Sequence, residues 1–205
     1  MRPFLALFFL LSVVRAEDSI EALGYRWTVQ QSTDWSTAEP GILKLRISAE
    51  PPSGQPRRPQ KFAIAQAGPF RKVTLEAEVR RNGRSLILVY AFQDPAHFDY
   101  AHISSDAASA QPFHNGMFHV FGGERVRISS LEGSPSLPTQ DWTPVKLVFD
   151  GESGRCSVEV AGRRNPSLEA YDLSLRSGKV GLGSFDETGD FRKVRVTGVP
   201  ESGSK

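Results

Sequence analysis

Four histidines fall within one short stretch, His97, His102, His114 and His119, with Asp94, Asp99 and Asp106 among them. Imidazole and carboxylate are the side chains that ligate transition metals and move protons near neutral pH. A metal site written in local sequence places two histidines at i, i+2 on a strand or i, i+4 on a helix. No pair here has either spacing. His102 and His114 can still meet across strands. The alternative is a set of satisfied or exposed histidines, and no metal ligand and no cofactor are assigned.

Carboxylates that cleave glycosides must face one another across a sugar. Glu76 and Glu78 share one face of a strand, a spacing equally expected of two solvated surface acids. Asp94, Asp99 and Asp186 have the settings of turn or loop acids. No Gly-X-Ser-X-Gly elbow occurs, and neither a serine nor Cys156 has a recognisable base beside it. Cys156 falls on the apolar side of its strand and is expected to be an inert core thiol. Gly181-Leu182-Gly183 continues a strand pattern and opens no helix, so it is not a phosphate loop.

The elements that position these groups are strands. Around Asp94-Pro95-Ala96-His97, the runs 85–93 and 98–105 read as a hairpin. If Gln93 faces Phe98, Leu88 opposes Ile103 and Tyr90 opposes Ala101, and these residues with Phe92 form a core face. The other face then carries Val89 opposite His102 and Ala91 opposite Tyr100, with Phe98 and Ser104 alongside. Ala91 would leave room above the sheet. That face reads either as a binding surface or as an ordinary half-exposed sheet face.

Period-2 alternation dominates the rest. Val73, Leu75, Ala77 and Val79 form one apolar set. Val145, Leu147 and Phe149 form a second, and Cys156, Val158 and Val160 a third. Val180 and Leu182 follow. Phe191, Val194 and Val196 are spaced as in a bulged strand. Asn82-Gly83, Asp94-Pro95, Gly122-Gly123, Asp150-Gly151 and Ser177-Gly178 punctuate these runs. Residues 51–59 and 130–140 read as surface loops. No part sustains a helical period. The expected fold is all-β, a two-sheet antiparallel jelly-roll sandwich.

Met1–Ala16 has a basic start, an apolar run too short to span a bilayer, and Val14 and Ala16 at the positions a signal peptidase reads. The expected division is a signal peptide over 1–16, a single β-sandwich domain over 17–198 and a flexible tail over 199–205. The expected location is secreted or periplasmic, with no membrane span in the mature chain. The formal charge is +2, and Arg2 and Arg15 lie in the expected leader, so the mature chain is near neutral and nucleic acid is not an implied partner. With one cysteine, an exported chain has no internal disulfide, and burial must supply its stability.

Four stretches carry a resemblance. Phe70–Val79 resembles an early strand, Phe92–Ser104 a "QDPxNYYxxHL" hairpin, and His114–Val120 with Arg125–Ile128 an "HNxIFxV…RxxIS" segment. Trp142–Val148, Gly178–Asp186 and Phe191–Val196 resemble the closing strands. Together they resemble the concanavalin A-like lectin/glucanase superfamily, closest to bacterial exported laminin G-like and 3-keto-disaccharide-hydrolase-like domains. That superfamily holds lectins, glycosidases, lyases and adhesion modules, so the resemblance implies a fold more than an activity. The laminarinase-type E-x-D-x-x-E motif is absent. Arg192 stands where many members have Asp, which puts any shared cation site there in doubt.

The reading that follows is an exported carbohydrate-binding or glycan-associated module with a glycan as partner. Tyr100, His102, Asn115 and Arg127 are the expected ligand-binding residues. Tyr offers a stacking ring and a hydroxyl, while neutral His and Asn each offer a donor and an acceptor. The alternatives are a glycoside-active enzyme of the sugar-hydrolase type, which needs a facing acid pair, and an adhesion module binding protein, which needs an exposed apolar patch.

Overall fold

A computed structural model of the chain describes residues 18–50 and 57–201. The expected signal peptide and most of the 51–59 loop lie outside the described residues. The strands are β1 (Asp18–Ala22), β2 (Tyr25–Val29), β3 (Trp35–Ser36), β4 (Ile42–Leu45), β5 (Lys61–Ala65), β6 (Phe70–Arg81), β7 (Ser85–Asp94) and β8 (His97–Ser104). They continue as β9 (Gly116–Phe121), β10 (Glu124–Arg127), β11 (Thr143–Asp150), β12 (Arg155–Val160), β13 (Arg163–Tyr171), β14 (Lys179–Ser184) and β15 (Gly189–Pro200). Sheet A runs β1-β2-β5-β14-β7-β8-β9-β10 and sheet B runs β13-β12-β11-β6-β15-β4-β3. The expected all-β sandwich is the fold found. β15 continues through Val199 and Pro200, which pair with Lys72 and Phe70, so the strand extends two residues into the expected tail.

Sheet B follows from its alternation. Val73, Leu75, Ala77 and Val79 of β6 are buried against sheet A, as are Val145, Leu147 and Phe149 of β11 and Cys156 and Val158 of β12. Each such aliphatic or aromatic side chain contributes about 1.5–3 kcal/mol on leaving water. The outward face carries charges in cross-strand register. Glu76 pairs with Arg195, and Glu78 with Arg192 and Lys193, so the two acids form a surface ladder rather than facing each other across a cleft. Arg192 also lies over the Trp142 ring, 4.2 Å from its centroid. The bulge expected in the last strand falls between Arg192 and Arg195, where Lys193 adopts φ 50°.

The central strands of sheet A, β5, β14, β7, β8 and β9, differ in being buried on both faces. Leu86, Leu88, Tyr90, Ala101, Ile103 and Met117 face sheet B in the main core. Ile87, Val89, Phe98, Tyr100, Phe118 and Val120 face outward, yet form a second buried cluster with Phe62, Ile64 and Phe185.

The hairpin register needs correction. Near the turn Asp94 pairs with His97, as expected, but a bulge then shifts the pairing by two residues. Leu88 opposes Ala101 instead of Ile103, and Tyr90 opposes Asp99 instead of Ala101. Ile87 opposes His102, and Val89 opposes Tyr100. A shift of two preserves the faces of Leu88, Tyr90, Ala101, Ile103, Tyr100 and His102. At the bulge Ala91 takes φ 47°, which inverts the alternation beyond it. Ala91 therefore joins the main core and Phe92 packs on the outer cluster, the reverse of the expected assignment.

Candidate functional site

The outer face of sheet A is an aromatic floor. Tyr100 of β8 and Phe118 of β9 stack with centroids 5.2 Å apart and planes inclined 13°. His102 stacks on Phe185, from the loop after β14, at 5.6 Å and 14°. Alternate residues of neighbouring strands project to the same side, which is why the floor is continuous.

Arginines lie over this floor. The Arg125 guanidinium carbon is 4.7 Å from the Phe185 centroid, 5.2 Å from Phe113 and 5.3 Å from Phe118. Its Nη1 donates to the Tyr100 hydroxyl at 3.3 Å. Among the described residues Arg125 has no carboxylate partner. Arg57 also lies over the Phe185 ring, 5.4 Å from its centroid, and pairs with Asp186. Between these groups opens a depression of about 300 Å³ lined by Arg57, His102, Gln111, Phe113, His114, Arg125, Phe185 and Asp186. It runs into a second hollow of about 400 Å³ that adds Arg84, Ser85 and Glu187. A separate cavity of about 470 Å³ lies beside β2 and β7, where Phe62 and Phe92 meet Thr28, Gln30, Asp94 and Lys179.

His102 lines the depression from below, with both ring nitrogens engaged. Nδ1 lies 3.0 Å from the Phe113 carbonyl, so Nδ1 carries the hydrogen and donates. Nε2 therefore accepts from the Ser85 hydroxyl at 2.7 Å. Burial pushes this imidazole down to about 3, assisted by the neighbouring His114, which keeps it neutral at physiological pH. Burial likewise raises the Tyr100 phenol, against the opposing pull of Arg125.

Asn115 and Arg127 sit at the base of the 105–115 connection. Asn115 is fully buried at φ 47° and donates from Nδ2 to the Ser134 carbonyl at 2.7 Å and to Ser167 Oγ at 3.2 Å. Its Oδ1 accepts from Ser136 Oγ. Arg127 donates to the carbonyls of Pro112, His114, Asn115, Ser129 and Ser130 and lies 5.5 Å from the Phe118 centroid. Tyr100, His102 and Arg127 thus share the outer face. Asn115 is turned inward, toward the 134–136 segment and β13.

Of the other chemistry-bearing residues, His102 and His114 do meet across the sheet, with centroids 5.0 Å apart. Nδ1 of His114 is held by Asp106 at 2.7 Å, and that hydrogen bond lowers the Asp106 carboxyl. His97 is held by Asp94 at the hairpin turn, 2.9 Å away. Cys156 is buried in the main core, and burial raises its thiol well above the usual range, as its expected inertness requires. Arg125, Phe113, Gln111 and Phe185 were not anticipated. Arg125 had a signal, since it alternates with Arg127 on the edge strand β10.

No family model matches the chain, and no curated protein matches it. Solved structures do. Carbohydrate-binding module CBM66 from Bacillus subtilis superposes with a TM-score of 0.61 at 18% identity, over 83% of this chain and 94% of that one. A Parabacteroides distasonis protein described as a glycosyl hydrolase superposes with a TM-score of 0.55 at 10% identity, over 82% of this chain and 92% of that one. At such identities the likeness speaks for architecture. The chain has the two-sheet antiparallel jelly-roll fold of these structures.

Proposed function

We propose that the chain is an exported, glycan-binding module whose ligand rests on the outer face of sheet A, over the Arg125–Phe185 depression. One observation carries the reading: a guanidinium that has no carboxylate partner among the described residues stands among aromatic rings at the mouth of a hollow. A sugar ring has an apolar C–H face and a hydroxyl rim. Phe113, which is exposed, suits the first. Arg125, Gln111 and His114 suit the second. In this reading Tyr100 and His102 are the floor that fixes Arg125 and Phe185, while Arg127 and Asn115 hold the 105–115 connection that delivers Phe113. The likeness to a carbohydrate-binding module supports a glycan as ligand.

The test is calorimetric titration of a glycan panel against the wild-type chain, Arg125→Ala and Phe113→Ala, with melting curves as a control. A bound glycan should weaken at least tenfold in each variant, about 1.4 kcal/mol, without loss of melting temperature. Phe92→Ala, at the separate 470 Å³ cavity, should bind as wild type. A panel with no binder, or a binder lost only in Phe92→Ala, overturns this site. Export rests on the Met1–Ala16 pattern. N-terminal sequencing of the protein from its native source should begin at Glu17, and recovery of cytoplasmic chain beginning at Met1 contradicts it.

A further inference from the structure

The structure assigns a second, independent locus: we propose that Asp99, His119 and Asp172 form a three-ligand site for a divalent transition-metal ion of the zinc type. Asp99 on β8 and His119 on β9 are direct register partners on the inward side of sheet A. Asp172 follows β13, at the edge of sheet B. The three residues therefore come from three separate parts of the chain, two neighbouring strands of sheet A and the segment after the edge strand of sheet B. Nδ1 of His119 lies 2.6 Å from Oδ1 of Asp99 and 3.1 Å from Oδ2 of Asp172. All three donor atoms lie within 4.8 Å of one another.

Zinc holds nitrogen and carboxylate oxygen at about 2.0–2.1 Å in a tetrahedron, which places neighbouring donor atoms about 3.3 Å apart. Small side-chain rotations bring the present arrangement to that spacing. The second carboxylate is already oriented. Oδ1 of Asp172 accepts from the Ser174 amide at 2.8 Å, and the Asp172 amide donates to the Gly154 carbonyl at 2.9 Å, so Oδ2 is the oxygen directed at His119. Such support from the backbone is what fixes a metal-binding carboxylate.

Charge argues the same way. Two carboxylates share one imidazole, and Asp99 is almost wholly buried. The charged groups acting on Asp99 are His119 and Asp172, with no lysine or arginine among them. The neutral groups nearby are the Tyr90 hydroxyl and the Cys156 thiol, hydrogen-bonded to each other in the core. A divalent ion in place of the shared proton balances this excess of negative charge. His119 and Asp172 keep slight exposure, which leaves an entry path and a place for water as a further ligand.

The experiment is a calorimetric zinc titration of the chelator-stripped, full-length chain at neutral pH. The wild type should take up one equivalent and melt at a higher temperature with zinc than without. Asp172→Asn and His119→Ala should bind at least tenfold more weakly and lose the zinc-dependent rise in melting temperature. Asp172→Asn, on the partly exposed rim, keeps the comparison meaningful should an Asp99 or His119 variant fold poorly. His97→Ala should bind as wild type. Absence of saturable uptake by the wild type, or uptake unchanged in both Asp172→Asn and His119→Ala, overturns the site and leaves the cluster as a buried ion pair.

Discussion

Gly178 passes against the backbone of Ala91 so closely that a Cβ on Gly178 would stand 2.5 Å from the amide nitrogen of Phe92. The glycine is there because the bulged strand β7 leaves no space for a side chain. Gly178→Ala should destabilise by about 1–3 kcal/mol through overpacking against rigid backbone, read from denaturant midpoints. An unchanged midpoint would mean that the bulge can relax.

Leu88 is fully buried in the main core opposite Ala101. Truncation there leaves a cavity between its two cross-strand neighbours, Ala101 and Leu182. Leu88→Ala should cost about 2–5 kcal/mol in equilibrium unfolding. A cost below about 1 kcal/mol would indicate that the position collapses or is exposed.

The neutral His102 sets a direction for acid sensitivity. Its ring titrates near 6.5 in the unfolded chain but near 3 in the folded one. Between those values the unfolded chain binds a proton that the folded chain refuses. The contribution is therefore complete above about pH 6.5 and is lost as pH falls toward 3, by at most about 1.4 kcal/mol per pH unit. Asp99, raised by burial to about 6, titrates in the same region but is common to wild type and variant. With a chelator present, the drop in stability from pH 7.5 to 5 should be about 2 kcal/mol smaller in His102→Phe than in wild type. Equal drops in both proteins would show that the ring protonates in place.

Cys156 should be silent toward thiol reagents. It is buried, and its thiolate is disfavoured by desolvation. Labelling by an aromatic disulfide should be negligible over hours in buffer and stoichiometric in guanidinium. Rapid labelling of the folded chain would place the thiol in an opening part of the core.

Much of sheet B was legible because each of its strands has one wet side. In β6, β11 and β12 the two-residue period is visible and marks both strand and face. Sheet A hides its pattern. Phe62-Ala63-Ile64-Ala65 and Leu86–Ala91 are buried on both sides and read as plain apolar runs. The short strands β1 to β4 have too few residues to show a period. The Ala91 bulge had no glycine to announce it. The side on which Tyr100 and His102 lie was readable, but not their burial, because their cover is supplied by Phe185 and Arg125 from elsewhere in the chain. The Asp99–His119–Asp172 cluster depends on a residue after β13, and no local spacing could join it to the others.

β15, the last strand, lies between β6 and β4 in the middle of sheet B. Its neighbours are both made much earlier in the chain, and without it β4 and β3 have no sheet to join. No N-terminal fragment can therefore seal the sandwich, however long it is. A nascent chain of this topology must wait, unsealed, for the dozen residues of β15, and a premature stop anywhere before Gly189 should yield an aggregating or degraded product instead of a smaller stable one.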